Sequence, residues 1–501
     1  MKKLLVTMGM LISALLLNSN VAFAAEEAAG HANIGAELSL VFVIPFVCML
    51  LCIAIFPLVA GEFWEKNKHW FVILWSVLFL VPFAIKYGMG AMTENLLESI
   101  VGDYLTFIVL LFGLFCVAGN ITLEGDLVGS PKVNVILLLI GTILASWIGT
   151  TGASMVLIRP LIRANKWRKR KVHIIVFFIF LVSNIGGCLT PVGDPPLLMG
   201  FMRGVGFFWS LRLVRMLLVN VVLLMIIFVI LDVRAYNKDV AEGLKPEFGG
   251  EQPEYLLYAN VEEEMKQRLS QEKKPLRIAG GHNIIFLILI VGAVILSGVL
   301  PGVFDKAGLP AGIHIFGEVT LGFPAIIECV IILLAALLSF KTTNKQVRIN
   351  NQFTWGAIEE VAVLFIGIFI TMIPALLILK ARGAELGLNS PWQMFWGTGL
   401  LSSFLDNTPT YLVFMTTAGS LGAQSGVATT VGMISVKMLE AISCGAVFMG
   451  ANTYIGNAPN FMVRSIAEEN GIKMPSFFGY MGWSVCCLIP VFFIDMLIFF
   501  L

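Results

Sequence analysis

Apolar runs of bilayer-spanning length recur along the whole chain. A transmembrane helix needs roughly 20 mostly apolar residues, and most of these runs have about that length. The pattern therefore predicts a polytopic helical membrane protein. The continuous spans are expected at about 38–59, 69–89, 103–121, 210–232, 282–301, 319–340, 357–381 and 477–500.

Two further stretches contain polar or glycine-rich residues in the middle. Residues 132–161 are interrupted at Gly149–Ser154, and residues 392–420 at Ser402–Thr410. The arms on each side of these interruptions are too short to be two full spans. We therefore predict two re-entrant hairpins with polar tips.

Prolines and glycines break two more helices. In the stretch 173–201, Pro191, Pro195 and Pro196 cannot supply the N–H that a helix interior needs. A similar break follows in 431–463, and a shift of 263 positions (456 − 193) pairs Gly193 with Gly456. Unwound backbone at membrane depth is tolerated only where it lines a protein-enclosed or wet cavity, and in transporters such breaks form ion sites.

The order of elements is the same in both halves, although the hairpin sequences match weakly. Five spans per half give the second half the opposite orientation, so we predict two inverted repeats with about ten spanning helices and two re-entrant hairpins. The predicted parts are a signal peptide, the first repeat, a polar cytoplasmic linker and the second repeat, at 1–24, 25–232, 233–280 and 281–501.

Charge placement predicts the topology. Six basic residues between 163 and 171 directly follow the first hairpin, which places its open end in the cytoplasm by the positive-inside rule. Both termini of the mature chain are then outside the inner (plasma) membrane. Arg203, Arg212 and Arg215 lie near the outer surface in this topology, against the rule.

Composition agrees with a membrane protein and excludes some functions. Hydrophobic residues make up 58% and charged residues 13% of the 501 positions. The net charge of +1 argues against a nucleic-acid partner, which would call for a basic domain. The eight cysteines fall in apolar runs without metal-binding spacing.

Three acidic residues within apolar stretches are candidates for ion or proton binding, because intramembrane carboxylates are costly and usually functional. Asp194 lies in the first break, where it could also cap the half-helix that starts at Pro195. Asp406 lies at the second hairpin tip, beside Asn407 and Thr408. Glu328 is isolated in an apolar run, where a hydrogen bond between helices is an equal alternative.

Residues Ser183–Leu198 and Ser402–Tyr411, with Trp355–Leu379 between them, resemble the ion transporter superfamily and its NhaD-type sodium/proton antiporters. The resemblance implies hairpins facing broken helices, a homodimer and elevator-like movement. It also implies sodium ligands at Thr151, Ser154, Asn184, Thr190, Asp194, Asp406, Asn407, Thr408, Asn452 and Asn457. The first hairpin reads Gly-Thr-Thr-Gly-Ala-Ser where the superfamily's carboxylate symporters carry Ser-Asn-Thr, which disfavours a dicarboxylate substrate.

Sodium/proton antiport is the leading functional hypothesis, with sodium and protons as the only ligands and no cofactor. We expect Asp406 to carry the proton and Asp194 to contribute mainly to cation affinity. A sodium-coupled di- or tricarboxylate symporter and an arsenite-type exporter remain alternatives. An intramembrane aspartyl protease would use the two aspartates but explains neither the paired breaks nor the hairpins, so we expect no enzyme.

Overall fold

The computed structural model describes residues 34–246, 275–351 and 353–501. The predicted signal peptide at 1–24 and most of the predicted linker at 233–280 lie outside these residues. Almost all of the described chain is helical. The first half contains α1 to α9: Ile34–Glu37, Ile44–Val59, Gly61–Leu97, Leu105–Ala118, Pro131–Ile148, Thr150–Ala164, Val172–Leu181, Pro195–Met202 and Val214–Ala241.

The second half contains nine further helices, α10 to α18. Their bounds are Asn283–Ala307, Phe323–Thr342, Lys345–Asn350, Gly356–Arg382, Pro391–Phe404, Asn407–Ser420, Val436–Met449, Ala458–Glu469 and Phe477–Asp495. Short 3-10 and π-helical segments extend or connect them at Leu40–Val43, Glu98–Tyr104, Ile185–Leu189, Phe207–Leu213, Gly383–Leu386, Gly450–Asn452 and Met496–Phe500.

Six short strands form three antiparallel pairs outside the helices. The strands β1 to β6 are Thr122–Glu124, Arg277–Ala279, Gly312–Phe316, Val319–Gly322, Val427–Thr429 and Gly432–Ile434, paired β1 with β2, β3 with β4 and β5 with β6. Two of them occupy positions that the sequence assigned to helices. β4 replaces the start of the span expected at 319–340, and β6 the start of the broken helix expected at 431–463.

The prediction of an all-α polytopic membrane protein is confirmed. Nine helical segments of the described chain are long and apolar enough to cross a bilayer. One of them, Gly61–Ala118, has 58 residues and covers the predicted span 69–89 and most of the span 103–121. Gly88, near the end of the first of these spans, has a positive φ of 89°, which bends the chain before the second. The span expected at 210–232 continues as helix to Ala241, so the predicted linker begins with helical residues.

Each predicted hairpin is a pair of helices in contact through a tight turn. The first consists of α5 and α6, which join at Gly149 with a φ of 80°. The second consists of α14 and α15, which join at Leu405 and Asp406. Pro131 and Pro391 occupy the first turn of the leading helix in each pair, where a missing N–H has no cost.

The two broken helices and the two hairpins pack across the halves. In the first half the helix stops at Leu181 and restarts as α8 at Pro195; in the second it stops at Met449 and restarts as α17 at Ala458. The returning hairpin helix α15 packs on α8, and its counterpart α6 packs on α17. This exchange brings both breaks and both hairpin tips to one place inside the protein.

Candidate functional site

Asp194 lies at the centre of this meeting point. It is the N-cap residue of α8, and its side chain is 1% exposed. The Asp194 side chain makes no capping hydrogen bond to α8, contrary to the alternative from the sequence, because Pro195 and Pro196 supply no N–H and the Leu197 N–H donates to the Asp194 main-chain carbonyl. It accepts hydrogen bonds from three other elements instead.

Both hairpins and the second broken helix donate to this carboxylate. The Thr150 hydroxyl donates to Oδ1 at 3.0 Å, and the Asn407 amide donates to Oδ2 at 2.7 Å. Asn457, the N-cap residue of α17, donates to Oδ1 at 3.2 Å. One acidic side chain therefore joins four segments from both halves of the chain, and all three donors are neutral.

A cluster of buried asparagines surrounds Asp194. The Asn457 amide nitrogen lies 3.2 Å from three oxygen atoms: the Ser183 carbonyl, the Asn184 side-chain carbonyl and Asp194 Oδ1. Asn184 also donates to Asn460 Oδ1 at 2.6 Å. Three oxygen atoms thus converge on a single position between the two broken helices.

Backbone geometry holds the hairpin tips against the breaks. The Thr150 N–H donates to the Gly193 carbonyl at 2.9 Å, which attaches the first tip to the first break. The Thr190 hydroxyl donates to the Ser146 carbonyl. In the second half the Thr453 hydroxyl makes the same bond to the Ser403 carbonyl. These contacts satisfy backbone groups that the unwound helices leave open.

Asp406 occupies a different environment from Asp194. It is partly buried, caps α15 and accepts the Thr408 N–H at 2.9 Å. The next residue, Asn407, makes the bond to Asp194, so a single residue links the two aspartates. Asp406 thus lies at the rim of the site and Asp194 at its centre.

Some of the other predicted site residues make contacts within the hairpins and breaks, whereas Glu328 lies elsewhere. Ser154 is within 2.9 Å of the Ser183 hydroxyl, and Asn452 donates to Ser403 Oγ at 2.9 Å. The site donor in the first hairpin is Thr150, the neighbour of the predicted Thr151. Glu328 lies on α11, which packs against α4 and α10 rather than forming part of the hairpins or breaks.

Sequence reasoning missed several residues of this arrangement. Thr150, Ser183 and Asn460 form direct contacts in the cluster, yet none was a candidate. A signal for Asn460 was available, since it follows Pro459 in the second break. In the structure its side chain donates to the Gly450 and Thr453 carbonyls. Thr150 was missed because its neighbour Thr151 has the same chemistry.

A model of a known protein family matches nearly the whole chain. The model of the family CitMHS_2, whose description is "Putative citrate transport", matches residues 35–500. A comparison with curated proteins found no similar sequence.

Proposed function

The chain belongs to the CitMHS_2 family, and from that premise we propose that it exchanges sodium ions for protons across the membrane at a site centred on Asp194. The family and the helical membrane fold support a secondary transporter rather than an enzyme. The choice of sodium and protons as ligands rests on the chemistry of the Asp194 site.

A buried carboxylate without a cationic partner is the observation that carries this proposal. Thr150, Asn407 and Asn457 all donate to Asp194 through neutral groups. Within the described parts of the chain, no Lys, Arg or His forms an ion pair with Asp194. An ionised carboxylate in such surroundings is costly, and a bound proton or a bound cation removes that cost. Asp194 therefore suits alternating occupation by the two.

The surrounding atoms are suitable ligands for a hard cation. Carboxylate, amide and backbone oxygens are the donors that such ions prefer. Asp194 Oδ1, Asn184 Oδ1 and the Ser183 carbonyl already converge on the Asn457 amide nitrogen. A rotation of the Asn457 side chain would open this position and offer a further oxygen.

Exchange follows from competition at one carboxylate. A proton on Asp194 removes the charge that holds the cation, and a cation at Asp194 opposes protonation. The two ligands cannot share the site, so each must leave before the other binds. This assignment places the proton on Asp194, whereas the sequence suggested Asp406, because Asp194 is the more deeply buried of the two.

Citrate-type symport is a second candidate, and two observations favour it. The family description names citrate. In addition, the helices α6, α8, α15 and α17 all begin at the site, and helix N-termini attract anions. Asp194 and Asp406 would repel a carboxylate substrate at the same place, which is why we rank symport second.

Everted membrane vesicles with an imposed pH gradient would distinguish the two functions. For an antiporter, added sodium should dissipate the gradient, and the half-maximal sodium concentration should fall as external pH rises. Citrate, succinate and arsenite should have no effect. Citrate accumulation driven by a sodium gradient, without sodium-dependent proton release, would establish symport instead.

Asp194→Asn should abolish sodium-dependent proton movement, since an amide cannot carry the proton. Asp406→Asn should retain part of the activity, because asparagine also caps a helix well. The matched control is Asp495→Asn, which changes another fully buried acid on α18 and should retain exchange. Normal exchange by the Asp194→Asn protein would refute the proposed site.

A further inference from the structure

A basic groove lies on the surface between α7, α9 and α18. Its volume is about 510 Å³, and its walls combine cationic, aliphatic and aromatic side chains. Its cationic lining includes Lys171, Arg234 and Lys238, and its apolar lining includes Leu231, Ala235 and Trp483. No acidic side chain is among these lining residues.

The acids near the groove are already paired with cations, and two of these cations, Lys169 and Arg170, line the groove themselves. Asp232 pairs with Arg168 at 2.5 Å, and Asp239 pairs with Arg170 at 2.8 Å. Glu242 pairs with Arg170 and with Lys169. Three acids and three cations thus balance one another.

The remaining cations of the groove are not paired with acids in the described part of the chain. Lys171, Arg234 and Lys238 line it, and none of them has an ion pair within the part of the chain described. Burial first, and then the nearby Lys166, lower the pKa of Lys171, while Asp239 raises it. An anion in the groove would offset the positive charge of these three side chains.

The groove lies where the apolar surface of α9 ends. Val222, Ile226 and Ile230 follow one another at intervals of four residues and are 53%, 53% and 46% exposed. The next two positions at this spacing are Arg234 and Lys238, both exposed. Since residues four apart share a helix face, a lipid-facing stripe changes to a cationic one within a single turn.

Trp483 on α18 lines the groove together with Arg234 and Lys238. It is partly buried, and Val485, two residues further along α18, is 59% exposed. Tryptophan is enriched at membrane interfaces, where its ring contacts the acyl region and its N–H faces the head groups. A groove with these walls therefore meets head groups and acyl chains together.

We propose that this groove binds the phosphate head group of an anionic membrane lipid. Lys171, Arg234 and Lys238 supply the cations that contact the phosphate. Leu231, Ala235 and Trp483 contact the start of the acyl chains. Basic pockets between helices at a membrane surface are suited to such head groups. The bound lipid would stabilise α7, α9 and α18 together at the end of the helix bundle.

Lipid retention by the purified full-length protein tests this proposal. The detergent-solubilised protein is mixed with equal amounts of phosphatidylglycerol and phosphatidylcholine, and bound lipid is measured by native mass spectrometry. We expect preferential retention of phosphatidylglycerol. The double variant Arg234→Ala/Lys238→Ala should lose about 30-fold in phosphatidylglycerol affinity, from roughly fivefold for each removed charge.

The matched control removes two exposed lysines elsewhere, Lys132→Ala/Lys341→Ala, and should retain the preference. Arg234→Gln alone provides a milder variant if the double variant does not fold. Equal retention of the two lipids by the unaltered protein would overturn the proposal. So would equal loss in the control, or inorganic phosphate or citrate binding as tightly as the lipid, which would indicate a site for a soluble anion.

Discussion

Thr190 and Thr453 make the same hydrogen bond in the two halves of the protein. Each is the first residue after the short 3-10 segment of a broken helix, and each donates its hydroxyl to a backbone carbonyl of a hairpin in its own half. The acceptors are Ser146 and Ser403, which lie close before the hairpin tips. These bonds therefore attach each tip to its break in equivalent ways.

Replacement of either threonine by valine should destabilise the protein to a similar extent. Thr190→Val and Thr453→Val keep the side-chain shape but leave a buried carbonyl without its donor, at a cost of about 1–2 kcal/mol each. Thermal unfolding in detergent measures this loss. Sodium-dependent exchange should also weaken, because the hairpin tips support the Asp194 site.

Thr398→Val is the matched control for this pair. Thr398 is fully buried, and its hydroxyl has no hydrogen-bond partner among the described residues. Its replacement should leave the melting temperature unchanged or raise it. A clear effect of Thr190→Val and none of Thr453→Val would show that the two attachments are not equivalent.

The breaks and hairpins could be predicted because single residues determine them. Pro191, Pro195 and Pro196 make a continuous helix impossible, and the interruption at Gly149–Ser154 divides a run that is too short for two spans. The relation of 263 positions between the breaks also corresponds to equivalent bonds, as Thr190 and Thr453 show.

The register between the hairpins could not be predicted in the same way. The hairpin sequences match weakly: a shift of 256 (410 − 154) pairs Ser154 with Thr410 and little else. The hydrogen bonds instead relate Ser146 to Ser403, a shift of 257 (403 − 146). This shift also pairs Thr150 with Asn407, the two hairpin residues that donate to Asp194. A threonine and an asparagine thus make equivalent hydrogen bonds, so residue identity did not reveal the correct alignment of the two hairpins.

Two of the arginines that the predicted topology places near the outer surface have partners that are distant in sequence. Arg203 pairs with Asp103 at 3.0 Å, and Arg215 pairs with Glu440 at 3.4 Å. These pairs compensate the two charges locally, but the rule counts Lys and Arg rather than net charge, so they do not remove the exception. Spacing alone would pair Glu440 with Lys437, three residues before it, because contacts between the halves cannot be read from spacing.

Asn220 and Asp495 form a buried pair between α9 and α18. Asn220 donates to Asp495 Oδ2 at 2.6 Å, and both side chains are fully buried. Asn220→Leu should cost about 1–3 kcal/mol, because Asp495 loses its donor. The double variant Asn220→Leu/Asp495→Leu should recover most of that loss, as removal of both polar partners leaves none unsatisfied.

Chemical or thermal unfolding of the four proteins in this cycle measures the coupling. Equal destabilisation by the single and the double variant would mean that packing, rather than the hydrogen bond, determines the effect. Exchange activity should persist in the double variant if the protein folds, since neither residue contacts Asp194.

Glu124 connects β1 to Arg277 on β2 and to Asn350 in the second half, outside the membrane spans. It accepts hydrogen bonds from Asn350 at 2.9 Å and from Arg277 Nη2 at 2.8 Å. These bonds, Asn350 first, hold the pKa of Glu124 below its usual range. A lowered pKa in the folded state means that the contribution to stability is present above the unfolded pKa and is lost as pH falls through the folded pKa.

Glu124→Gln should therefore lower the melting temperature at neutral pH by a small amount, equivalent to less than about 1 kcal/mol for a partly exposed pair. The difference from the unaltered protein should shrink as pH falls below about 4.3, the ordinary glutamate value. Melting curves from pH 3 to 8 would show it. A difference that stays constant over this range would exclude the charged interaction as its cause.

Gly456 allows the second hairpin tip to approach the second break closely. A Cβ atom at this position would lie 2.5 Å from the Gly450 carbonyl oxygen and 2.7 Å from that of Ser402, both too short for contact. Gly456→Ala should push the hairpin away from the break and displace Asn457, which donates to Asp194. We expect a severalfold rise in the sodium concentration for half-maximal exchange, although no polar group is removed.

Gly292→Ala on α10 is the control, since no heavy atom lies within 4 Å of its added Cβ, and alanine there should stabilise the helix by about 1 kcal/mol. Unchanged sodium affinity in a folded Gly456→Ala protein would show that the close approach at this break does not position the site.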